Sequence, residues 1–316
     1  MRLPRGKPLL ENTRLEFINL DNVLSAAKRE RAHRITGYIS IVYPDTVELV
    51  FLRHGEPFHA GRITRTERKI VPISEVIDRA KKATTGFVSE YATDDIIINL
   101  IISTITIEPI KANVNFTRLQ PKVFIERLKT TKFNGFIWVR RGIEESYIHF
   151  ESGTIAGCYI AGSGKKLTDD AIVPLLTKPD TTLSIFDRIA DTTTVQATPA
   201  QVDMFCKIYS QLLKSYVQPL GESLVLKTFM LTKSTVKNEY PFIDQIKIES
   251  DLTMSGSVVV EPKVFVQAMA KWLDLIYESL ATFLGKESEV IAKKVFNDYR
   301  FALKSMHFFD YTKLKM

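Results

Sequence analysis

The chain has 316 residues, of which 45% are hydrophobic and 25% are charged, and a formal net charge of +7. That composition is ordinary for soluble globular protein of two or three domains, and no run is long and apolar enough to span a bilayer. The two cysteines, Cys158 and Cys206, lie in apolar stretches without a C-x-x-C partner, so they read as buried small hydrophobes of a reducing compartment.

The opening "MRLPRGKPLLENT" is basic but lacks the apolar core of a signal peptide, which makes a cytoplasmic protein the expectation. "LDNVLSAAKRERAHRIT" has helical spacing. It leads into "GYISIVYPDTVELVFLRHGEPFHA" (37–60), a strand, a polar turn, a returning strand, a glycine turn at Gly55 and a third strand. A helix follows from Pro72, then a short strand near "GFVSEYA". The isoleucine-rich "DDIIINLIISTITIEP" is dominated by β-branched residues and predicts a buried strand pair. "LQPKVFIERLKTTKFN" is a helix with Pro121 in its first turn, ahead of a second meander, "GFIWVRRGIEESYIHFESGTIAGC" (135–158).

Next comes "AGSGKKLTDD" (161–170), which has the look of a phosphate loop and fails its tests. Gly164-Lys165 would need glycine at 159 and Ser or Thr at 166, where Tyr159 and Lys166 stand, and a dinucleotide fingerprint would need glycine in place of Leu167. It reads as a turn, with Thr168 capping a helix whose first turn holds Asp169 and Asp170. A strand at "TLSIFDR" follows.

The two meanders align without a gap: Gly37 on Gly135, Tyr38 on Phe136, Ile39 on Ile137, Leu52 on Phe150 and Gly55 on Gly153. With flanking helices and a closing strand, this predicts one helix and antiparallel-meander unit written twice over roughly residues 15 to 195. The pattern resembles the PatA N-terminal-like domain, a family attached to bacterial response regulators. The matching positions are Gly37, Leu52, Gly55 and Ala60 in the first copy, and Gly135, Phe150, Gly153 and Cys158 in the second. Cys158 departs from the family's small alanine, and "TLSIF" fits its last strand loosely. The resemblance implies a non-catalytic signalling or adaptor module. Lys- and Ile-rich usage also resembles that of archaeal proteins.

From residue 198 the period becomes helical. Thr198, Pro199 and Gln201 form a capping box ahead of a run whose apolar face is Val202, Phe205, Cys206, Tyr209, Leu212, Leu213 and Tyr216, with Pro219 as its end. A second run follows Pro262, with Phe265, Met269, Trp272, Ile276, Leu280 and Phe283 as the buried stripe and Gly285 as its stop; a third starts near Glu287. The tail "MHFFDYTKLKM" offers Phe308, Phe309 and Tyr311 either to its own domain or to a second subunit.

The expected fold is therefore α+β: a first unit over 1–110, a second over 111–197, and a bundle of three to five helices over 198–316. No catalytic residue, cofactor or metal ion is assigned. His54 and His59 flank the first glycine turn but lack a third ligand, and the pairs Asp94-Asp95, Glu144-Glu145 and Asp169-Asp170 suit solvated turns and helix starts. Three readings stay open. The favoured one is a regulatory adaptor acting through a protein partner or a homo-oligomer. The second is nucleic-acid binding through Arg29, Arg31 and Arg34 and through Arg62, Arg65 and Arg68. The third is an enzyme with an unrecognised site, drawing on His54 and His59.

Overall fold

The computed structural model describes residues 1–29, 34–115, 120–163, 172–190 and 195–315. The protein is α+β, and its chain divides into two compact units, residues 1–71 with 76–194, and residues 72–75 with 195–316. The two large sheets both fall in the first unit, so position 110/111 lies inside one compact body, and the second unit takes up again at 195.

The first sheet is six-stranded. It runs β1 (Lys7–Arg14), β6 (Phe87–Ala92), β2 (Gly37–Val42), β3 (Val47–Arg53), β4 (Glu56–Ile63) and β5 (Arg68–Ile70). One face, carrying Ile39, Ile41, Val50, Leu52 and Ala60, buries its side chains with Leu20, Leu24 and Ala27 of α1 (Leu20–Arg29) and Val76, Ile77 and Ala80 of α2 (Ile73–Lys82). The other face meets α3 (Asp95–Thr106), whose Ile105 lies against Gly61.

The second sheet is five-stranded, in the order β10 (Thr154–Tyr159), β9 (Glu144–Glu151), β8 (Gly135–Arg141), β11 (Thr182–Phe186) and β7 (Lys111–Val114). Ile137, Val139, Ile148, Phe150, Cys158 and Leu183 form its core with Ile125 of α4 (Pro121–Thr130) and with Ile172 and Leu176 of α5 (Ile172–Leu176).

Registers match across the sheets. Gly37 pairs with Leu52 and Gly135 with Phe150; both meanders carry an irregularity within the third strand, next to the pairs Phe51–His59 and His149–Gly157. The turns agree as well. Gly55 and Gly153 have φ of 78° and 79°, and their amides donate to Ile35 O and Phe133 O at 2.8 Å in each case. Even the first-strand kink recurs, since Asn12 and Asn113 both have positive φ and direct their amides to Ser89 Oγ and Ser184 Oγ.

The expected strand pair in "DDIIINLIISTITIEP" is instead the single helix α3. Its apolar residues are buried all round, and β-branching is a weak preference that such burial overrides. The hydroxyls of Ser103 and Thr104 donate back to the carbonyls of Asn99 and Ile101, which lets these two polar residues sit inside the core. The two strands that open the sheets, β1 and β7, have no counterpart in the sequence reading, because both are largely exposed and show no apolar alternation. The helix expected from Thr168 is described only over Ile172–Leu176; Gly164 to Asp170 lie outside the described residues.

The second unit holds α6 (Pro199–Leu220), α7 (Glu222–Lys237), the short pair β12 (Ile246–Ile248) and β13 (Met254–Gly256), α8 (Pro262–Leu284), α9 (Lys286–Asn297) and α10 (Arg300–Ser305). The capping box is present: Gln201 N donates to Thr198 Oγ1 at 3.2 Å and Thr198 N to Gln201 Oε1 at 2.9 Å. Pro219 does not end α6; it sits inside the last turn, and the break comes at Gly221 with φ 79°. Phe283 is 60% exposed, because the stripe has drifted round α8 by its last turn and Leu284 takes the inner position. The tail docks on its own unit: Phe308 is buried, 5.5 Å from the rings of both Phe205 and Phe296, and Thr312 Oγ1 donates to Asp274 at 2.6 Å.

Candidate functional site

Charged residues inside the strands assemble two clusters in the first unit. On the helix-covered face of the first sheet, Glu48 of β3 is fully buried. Its Oε1 accepts from Arg62 Nε at 2.7 Å across the strand pair and from Arg79 Nη1 of α2 at 3.0 Å, while its Oε2 has no hydrogen-bond partner. The Arg79 guanidinium also lies 4.2 Å from the Tyr43 ring centroid, and burial, followed by the Glu48 charge, pushes the Tyr43 phenol up to about 12.

The second cluster joins the sheets. Arg68 of β5 and Arg140 of β8 lie 4.2 and 4.3 Å from the Trp138 ring, and the indole Nε1 donates to Glu145 Oε2 at 3.0 Å. Arg68 also pairs with Glu145 and donates to Thr104 Oγ1 of α3 at 3.3 Å. Burial and the neighbouring Arg68 charge hold the Arg140 guanidinium below its usual range, and Arg140 bonds the Asn113 side chain. Glu144 and Glu145, expected together in a solvated turn, are separated by the strand's alternation: Glu145 is 5% exposed, and Glu144 pairs with Arg141 at 2.6 Å.

A third charged residue stands alone. Glu90 of β6, opposite Ile39 and Leu10, is 6% exposed; its Oε1 has no hydrogen-bond partner, and burial pushes its carboxyl up to about 7 from 4.5. Between those values the folded protein keeps a proton that the unfolded chain has released, so stability falls as pH rises through that window and the loss is complete above about 7. Glu90→Gln should leave stability unchanged near pH 4 and raise it by on the order of 2 kcal/mol near pH 8, read from urea unfolding at each pH. An equal effect at both pH values would refute the assignment.

These placements rearrange the residues singled out in the sequence. Arg62 and Arg68 are held by buried carboxylates, whereas Arg34 and Arg65 are exposed. Arg31 and the Arg29 side chain lie outside the described residues. His54, with φ 50°, is exposed at the turn, and His59 lies edge-on to Phe58 at 5.5 Å. Among the described residues no group of three or more His, Cys, Asp or Glu is placed to hold a metal ion. Gly37 and Gly135 serve close approach, because a Cβ there would lie 1.9 Å from Tyr91 O and 2.0 Å from Phe186 O.

Sequence reasoning passed over Glu48, Glu90, Trp138 and Arg140, and placed Glu145 in a solvated turn instead of a buried cluster. The signal available was a carboxylate within otherwise apolar strands, as in "VELVFL" and "VSEYA". Beside the clusters, on the α3-facing side of the first sheet, a cavity of about 340 Å³ lies between that sheet and the segment Met1–Arg5. No helix among the described residues is long and apolar enough to cross a membrane. No protein-family model, curated protein or solved structure matches the chain.

Proposed function

We propose that the protein is a regulatory adaptor that acts through protein–protein contact, built on two copies of one α+β unit related to the PatA N-terminal-like domain. The supporting observation is the first sheet's outer strand. β1 is largely exposed, and among the described residues no strand covers its outer side. Phe17 and Phe87, 75% and 45% exposed, both lie near its end, where Leu15 N bonds Gly86 O and Arg14 is the register partner of Phe87. An open strand edge with adjacent aromatic side chains is the geometry of β-strand addition, in which main-chain bonds supply affinity and side-chain contacts supply selectivity.

The nucleic-acid alternative keeps Arg34 and Arg65 as exposed contacts, but the pairing of Arg62 and Arg68 with buried carboxylates weighs against it. Native purification after nuclease treatment, at high and low salt, separates the readings. The adaptor reading expects a complex or self-association that persists at high salt and is lost in a Phe17→Glu/Phe87→Glu variant. A complex that disappears with nuclease or salt would favour the arginines and overturn it.

A further inference from the structure

Matching positions on the two sheets carry different side chains, and the difference opens a cavity. Ser40 of β2 pairs with Ser89, as Trp138 of β8 pairs with Ser184. On the second sheet the indole and its two stacked guanidiniums fill the space over that position. On the first, where Ser40 is small, there is a cavity of about 340 Å³ whose lining includes Tyr38, Ser40, Ser89, Tyr91, Arg2 and Arg5. Volumes of about 300 to 1,000 Å³ are those of small-molecule sites.

The lining is held in place. Tyr38 Oη donates to Pro4 O at 2.9 Å, fixing the chain segment that closes the cavity, and Arg5 Nε donates to Gly162 O at 3.1 Å. Gly162 has φ 68°, and a Cβ there would fall 2.2 Å from Arg2 Nε, so only glycine lets that guanidinium lie against the turn. Ser89 Oγ accepts from Asn12 N at 3.0 Å and keeps its own proton to donate. Among the described residues the Ser40 hydroxyl has no hydrogen-bond partner, although the Ser40 backbone lies in the β2 ladder. Each guanidinium has a carboxylate partner, Glu11 for Arg5 and Glu144 at 3.6 Å for Arg2; of the two carboxylates Glu11 lines the cavity and Glu144 does not, so an anion bound there competes with these pairs.

We propose that this cavity binds a small organic oxyanion, a carboxylate or a phosphate ester, with its charged end at Arg2 and Arg5 and its polar edge on Ser40 and Ser89. The site is independent of the β1 edge contact and does not rest on it. The test is calorimetric titration of the full chain with succinate and, separately, with glycerol 3-phosphate at matched ionic strength, using wild type, Ser40→Trp and Arg2→Gln. Saturable binding of one probe is expected, weakened about tenfold or more in both variants, and the probe that binds identifies the anion class. Ser40→Trp copies the plug that Trp138 provides. Arg2 is 55% exposed, so Arg2→Gln carries the test alone if the tryptophan variant does not fold. Absence of saturable binding of either probe up to about 20 mM, or wild-type affinity in a folded variant, would overturn the proposal.

Discussion

Glu48→Ala is expected to lower the unfolding free energy by about 3–5 kcal/mol, as breaking a buried ion pair from one side typically does. The carboxylate is fully buried, and two guanidiniums converge on one of its oxygens at 2.7 and 3.0 Å. Its removal takes away the buried carboxylate that Arg62, with an 18% exposed side chain, and Arg79 share. A double variant, Glu48→Leu with Arg62→Met, should recover much of the loss, because the remaining Arg79 side chain is 36% exposed and has water to solvate it. Urea unfolding of the single and double variants is the measurement. A single-variant loss under about 1 kcal/mol would show that both guanidiniums reach water when the carboxylate goes.

The second large effect is expected at the strand-opening glycines. Gly37→Ala places a methyl 1.9 Å from Tyr91 O, and Gly135→Ala places one 2.0 Å from Phe186 O, in both cases against backbone that cannot swing aside. Relief requires parting β2 from β6 or β8 from β11. Gly135 also has φ of +132°, which Gly37 does not share, so the second substitution adds backbone strain to the same clash. Both should destabilise by roughly 2–4 kcal/mol, with Gly135→Ala the worse by about 1 kcal/mol. Thermal unfolding of the two alanine variants side by side checks the order. Equal tolerance at both sites would mean that the two sheets are not held together in the way their registers indicate.

Much of this organisation was legible in the sequence because it rests on local chemistry. The meanders were visible through Gly37, Gly55, Gly135 and Gly153, positions where turn geometry or close approach demands glycine. The helices of the second unit were visible through caps and apolar period, as Thr198 with Gln201 shows. Where long-range burial decides, the reading failed. α3 looked like strands because isoleucine prefers them, and only its enclosure within the first unit makes a helix the better solution. β1 and β7 lacked a signal because an exposed edge strand needs no apolar alternation. The candidate sites were less legible still. Arg62 and Arg68 looked like surface charge, and nothing local to "RITRTERK" shows that one faces Glu48 and the other Glu145 and Trp138. Their placement turns a suspected basic patch into internal scaffolding, which moves attention to the open edge of β1 and to the cavity behind Ser40.

The proposed adaptor role stands most directly on the β1 edge, and site-specific photo-crosslinking in the producing cell tests it. With the crosslinking residue at Leu9, which is 41% exposed on β1, the account predicts a discrete adduct to a protein or to a second copy of this chain, lost when Phe17 and Phe87 are changed to Glu. No adduct from position 9, or one indifferent to those two substitutions, would contradict it.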